Sequence, residues 1–191
     1  MLDNLLNLVK EHAGSAIINN PAIPNERNDE AIETAGNSIA GGLQNMLGGG
    51  GLKDVLKLFG EQGAGDFNNN PVVQNLSGNV VQDLMRKFNL DQGAASNIAG
   101  GLVPNVLQNL VSKTNDPNDN SFDIQGIFNS LSGGKTAGFN IQGLLGKVTA
   151  GGLDKDGDGD TDLQDVMAMF SGGRANSGGG ILDTVKGLFG R

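Results

Sequence analysis

The stretch Asp154-Lys-Asp-Gly-Asp-Gly-Asp-Thr-Asp-Leu-Gln-Asp165 sets carboxylates on alternating residues and a glycine at the sixth position. It fits the calcium-loop pattern D-x-[DN]-x-[DN]-G, and its twelfth residue is acidic. Ca2+ is a hard cation that takes six to eight oxygens at about 2.3–2.6 Å. Asp154, Asp156 and Asp158 offer side-chain carboxylates from positions one, three and five. Gly159 supplies the sharp turn that needs a positive φ. Asp160 would coordinate through its backbone carbonyl, Asp162 through a water, and Asp165 would close the sphere from the helix that follows. Six aspartates against Lys155 leave the loop a charge of −6 + 1 = −5. A bound divalent cation relieves that repulsion directly. A merely solvating linker has no reason to omit acids at positions two and four, or to resume an apolar pattern at Leu163, Val166 and Phe170.

The loop is similar to an EF-hand, with three departures. Position twelve is Asp165 rather than a longer Glu, and position eight is Thr161 rather than an aliphatic residue. Gly151 and Gly152 interrupt the entering segment. Asp at position twelve and the interrupted entering segment are similar to dockerin-type and other bacterial loop-plus-helix calcium sites. No second loop of the pattern occurs, so a tandem pair is not expected. A lone loop with a short closing ligand should bind weakly, at roughly 10⁻⁵ to 10⁻³ M. Such an affinity points to the cell surface or exterior. The N-terminus points to the cytoplasm, since Met1-Leu-Asp-Asn-Leu-Leu-Asn-Leu-Val-Lys10 lacks the basic region and cleavage site of a signal peptide. Localisation therefore stays open.

Other chemistries find little footing. Cysteine is absent, which excludes disulfides, thiolate metal sites and a thiol nucleophile. His12 is the one histidine and stands beside Glu11 near a helix end, where a surface role is expected. Ser15, Ser38 and Ser96 lack a nucleophile-elbow context. Glu26, Glu30 and Glu33 cluster at a helix start, where carboxylates favour the dipole. Gly134-Lys135-Thr136 ends like a phosphate loop, but Asn129 stands where that loop needs its first glycine. A net charge of −8 argues against nucleic acid as partner. The chain is therefore read as non-enzymatic, with no small-molecule substrate.

Apolar residues recur at three and four, which predicts an all-α fold. Helices are expected near 2–12, 28–47, 52–60, 73–88, 91–112, 122–131, 139–149, 162–171 and 181–189. Asn19-Asn20-Pro21 and Asn68-Asn69-Asn70-Pro71 mark turns, and 48–51 and 178–180 are glycine joints. Glycine supplies 32 of 191 residues, and aromatics only 4%, so a core of modest stability is expected. Pro104 should kink its helix or start a new one. The polar run 114–121 reads as a linker between a helical domain at 1–113 and short-helix repeats at 122–191.

Two repetitions are visible. Asn37-Ser-Ile-Ala-Gly-Gly-Leu43 nearly matches Ser96-Asn-Ile-Ala-Gly-Gly-Leu102, which suggests a duplication within 1–113 and glycine pairs that admit close helix approach. A shorter unit recurs as Phe122-Asp-Ile-Gln-Gly126, Phe139-Asn-Ile-Gln-Gly143 and Thr161-Asp-Leu-Gln-Asp165. Leu52-Lys-Asp-Val-Leu-Lys-Leu-Phe59 and Leu182-Asp-Thr-Val-Lys-Gly-Leu-Phe189 share another apolar skeleton. Helices this short must dock, on each other, on a second copy or on a membrane. The stretch Phe88-Asn-Leu-Asp-Gln-Gly-Ala-Ala-Ser-Asn-Ile-Ala-Gly-Gly-Leu-Val-Pro-Asn-Val-Leu107 resembles the YidB-like family of bacterial helical proteins over about residues 75–113. The resemblance implies a compact helical fold and a bacterial source, and no activity. The expected function is calcium binding that braces the C-terminal half, with self-association or a protein partner. The alternative is a membrane-active or secreted toxin-like protein, because residues 180–191 resemble glycine-rich amphipathic peptides that lie on membranes.

Overall fold

The computed structural model describes residues 2–49, 51–60, 67–116, 118–119, 121–134 and 136–148. Its regular elements are all helical, and no strand occurs among the described residues. The helices are α1 (Leu2–Ala13), α2 (Asn28–Gly48), α3 (Leu52–Phe59), α4 (Pro71–Phe88), α5 (Gln92–Asn115), α6 (Ile124–Leu131) and α7 (Ile141–Val148). A π-helical turn at Gly14–Ile18 prolongs α1. The seven expected helices up to 139–149 are all present, with ends shifted by three residues at most. The expected helices at 162–171 and 181–189 lie outside the described residues.

Local chemistry sets the helix ends. Asn70 caps α4 by accepting the Val72 N–H at 2.9 Å, and Pro71 fills the first turn, where a missing N–H costs nothing. Asn89 ends α4 in the left-handed region at φ 52°, a conformation that asparagine tolerates. Asp91 then caps α5 by accepting the Ala94 N–H at 2.9 Å. Leu90 between them is buried, so the corner is pinned to the core.

The long helices α1, α2, α4 and α5 pack α2 on α4 and α1, and α5 on α4 and α1. The short helices α3 and α6 pack on α2, and α7 packs on α3 and α6, so their apolar stripes dock within the chain. Leu52, Val55, Leu56, Leu58 and Phe59 of α3 are all buried. Phe122, Ile127, Phe128, Ile141 and Leu144 join the same core as the long helices. The polar run at 114–121 is a hydrogen-bonded corner at its described positions. Asn115 donates to the Phe59 carbonyl at 3.2 Å, and Asn4 donates to the Ser121 carbonyl at 2.9 Å.

Two expectations about α2 and α5 are narrowed. Of the two outcomes expected at Pro104, a kink or a new helix, the new helix does not occur: α5 runs from Gln92 to Asn115 with the proline inside. Gly100, whose carbonyl would have received the missing N–H, is solvent-exposed, so the orphaned oxygen has water at hand. The paired glycines also behave differently from one another. Gly42 meets the Leu76 side chain so closely that a Cβ would overlap it, and a Cβ would stand 3.0 Å from Asn79 Nδ2. Around Gly41, Gly100 and Gly101 there is open space. Close approach therefore uses one glycine of the four, plus Gly36, against which Leu6 packs. Gly42→Ala should destabilise the fold, since overpacking typically costs about 1–3 kcal/mol and the helix-propensity gain recovers only about 1 kcal/mol. Gly101→Ala should instead stabilise it by up to about 1 kcal/mol. Urea midpoints of the two variants moving in the same direction would refute this reading of the α2–α4 contact.

Candidate functional site

The expected ligands Asp154, Asp156, Asp158, Asp160 and Asp165, together with Asp162, lie outside the described residues, as does the 180–191 segment. Among the described residues no group of three or more His, Asp and Glu side chains could hold a metal ion. No described helix is long and apolar enough to cross a membrane.

The structure does show how the repeated unit folds in its first two copies. In α6, Asp123 accepts the N–H groups of Gln125 at 3.3 Å and Gly126 at 2.7 Å. In α7, Asn140 accepts the Gly143 N–H at 2.9 Å. The residue after each cap, Ile124 or Ile141, is buried. Between the helices Gly133 and Gly134 adopt φ of 64° and 87°, the left-handed region that glycine enters without cost. Thr136 is buried at 1% exposure, and its N–H donates to Ser132 Oγ at 3.1 Å. Gly134 and Thr136 therefore belong to a return turn closing onto α6. Gln125 joins the two units. Its Nε2 donates to the Thr136 carbonyl at 3.1 Å, and its Oε1 accepts the Ile141 N–H at 3.1 Å. Sequence reasoning found the repeat but missed this bridge, whose only signal was the invariant place of Gln within the unit.

The remaining candidates serve packing. Glu30 at the start of α2 pairs with Arg27 at 2.9 Å and Lys87 at 3.4 Å. The Arg27 hydrogen bond, outweighing partial desolvation, holds its carboxyl below the ordinary 4.5. Its stabilising share is therefore present above that value and lost as pH falls through the lowered one. Arg27 also stacks 4.3 Å above the Phe88 ring and donates to the Lys87 carbonyl at 3.1 Å, tying the start of α2 to the end of α4. Glu26 and Glu33 are exposed, and His12 is half-buried on α1. Asp119 is likewise held low, first by the Ser121 hydroxyl and then by its N–H and by Lys113.

Ser38 is 7% exposed and donates its hydroxyl to the Asp83 carboxylate, which also pairs with Arg86. This contact bridges α2 and α4 and floors a shallow polar groove of about 420 Å³ that includes Asn37, Asn45, Asn79 and Gln82. The residues are 45 apart in sequence, so no local pattern announced them. No family model, curated protein or solved structure matches this chain.

Proposed function

We propose that the chain is a non-enzymatic helical calcium-binding protein, in which the ion braces the segment after α7. The observation that carries this reading is the spacing of carboxylates and glycine in residues 154–165. The two described units support it. In each, the Asx residue caps the helix and the residue three places on lies in the first turn. Read onto Thr161-Asp-Leu-Gln-Asp165, the same rule makes Asp162 the cap and gives Asp165 the first-turn place held by Gly126 and Gly143. A Cβ on Gly143 would stand 3.3 Å from Asn140 Cγ, so a side chain at that place leans back over its cap. A carboxylate at 165 would lean back over the loop in the same way, as a closing ligand must.

Titration calorimetry with Ca2+ and Mg2+ tests the proposal. The native chain should take up one Ca2+ with a dissociation constant of roughly 10⁻⁵ to 10⁻³ M. Asp156→Ala combined with Asp158→Ala should give no binding heat. Equal heats from the two proteins would overturn the reading. Self-association or a protein partner is the accompanying role. Among the described residues Ile18, at 41% exposure, is the exposed large apolar side chain. An apolar partner surface would therefore draw on the stripes at 163–170 and 181–189.

A further inference from the structure

Every helix begins with backbone N–H groups that lack a partner within the helix. The start of α7 shows how this chain handles them. Asn140, the preceding residue, takes the Gly143 N–H at 2.9 Å. The Ile141 N–H is taken by another unit: Gln125, from the first turn of α6, accepts it at 3.1 Å. The same carboxamide donates to the Thr136 carbonyl, so one side chain fastens both the return turn and the next helix start. Gln142 occupies the equivalent place in the first turn of α7. It is exposed, whereas Gln125 is half-buried.

We infer that the exposed face of α7 around Gln142 is the docking surface for residues 161–173 of the same chain. Gln142 there accepts the Leu163 N–H and donates to a carbonyl of the connecting segment, as Gln125 does one unit earlier. Three features identify this occupant. The segment has the same order of Asx, apolar residue and Gln as the two units before it, and it ends in Ser-Gly-Gly as the first of them does. It reaches its place through enough chain: nine residues, 132–140, return from α6 to α7, and fourteen, 149–162, are available after Val148. The five extra residues accommodate the wide loop proposed for 154–165. The docking rests on the repeat and not on the ion, but Asp165 lies two residues after the clamped N–H, so the contact orients a proposed calcium ligand.

The test uses the full chain with Gln142→Ala, and with Gln108→Ala as control, an exposed glutamine of α5 outside both the clamp and the loop. Amide exchange at Leu163 is read by NMR, and calcium affinity by calorimetry with CaCl2. Loss of one such hydrogen bond corresponds to about a fivefold change. Gln142→Ala should speed Leu163 exchange and weaken calcium binding about fivefold, while Gln108→Ala changes neither. Unchanged Leu163 exchange in Gln142→Ala would overturn the docking. So would Leu163 protection that rises with protein concentration, which would mean a second copy occupies the face. If the native chain shows no calcium heat, the calcium reading fails and Leu163 exchange alone decides the docking.

Discussion

Phe128→Ala should lower the melting midpoint of the body by on the order of 10 °C. The side chain is fully buried at 0% exposure, and its ring meets that of Phe59, also fully buried, edge to face at 5.7 Å and 70°. The contact joins α6 to α3 across more than sixty residues of chain. Deleting a buried phenyl ring typically costs about 3–5 kcal/mol, because the cavity only partly collapses. Edge-to-face pairing adds about 0.5–1.5 kcal/mol to the area buried. Globular domains hold only about 5–15 kcal/mol in total, and each kcal/mol moves the midpoint by roughly 2–4 °C at this size. Ile18→Ala is the comparison, since its side chain is exposed and its loss should stay within about 0.5 kcal/mol. Thermal melts followed by far-UV circular dichroism give both values. A Phe128→Ala midpoint within about 2 °C of the native one would mean that α6 is not part of the cooperative core.

Most of the fold could be read from the chain because local signals and tertiary demand agree. Asn70-Pro71 and Asn89-Leu-Asp91 state helix ends in side-chain chemistry, and both are used as such. The apolar spacing of α4, at Val72, Val73, Leu76, Val80 and Leu84, is also its buried face. What escaped was non-local. Nothing near Gly42 or Gly101 tells which one receives a neighbour, because that depends on Leu76 arriving from α4. Which of the two outcomes Pro104 takes is not a local matter either: it stays inside α5, where the carbonyl it leaves without a donor belongs to the exposed residue Gly100. The Ser38–Asp83 pair and the Gln125 bridge unite residues with no shared local pattern. For the proposed calcium loop the position is reversed: its pattern is written in twelve consecutive residues, so the sequence alone carries the proposal.

Calcium should protect the loop strongly and leave the body's melting midpoint nearly unmoved. At a hundredfold excess over its dissociation constant, a ligand stabilises the unit that holds it by about 2.7 kcal/mol. Were residues 154–165 to unfold together with the body, the midpoint would rise by roughly 5–10 °C. The described core gives no reason for such coupling. Its buried side chains include Phe59, Phe128, Ile141 and Leu144, all before Val148, and the contact proposed at Gln142 uses none of them. Lys155, at the second position of the loop, supplies a direct probe. Cleavage there by a lysine-specific protease follows the open population when opening is fast. It should slow by up to about a hundredfold in excess calcium and recover on adding chelator. The midpoint should shift by less than about 2 °C in the same solutions, below the roughly 2–4 °C that a single kcal/mol would produce. A shift of the larger size would make loop and body one cooperative unit, and cleavage indifferent to calcium would remove the site altogether.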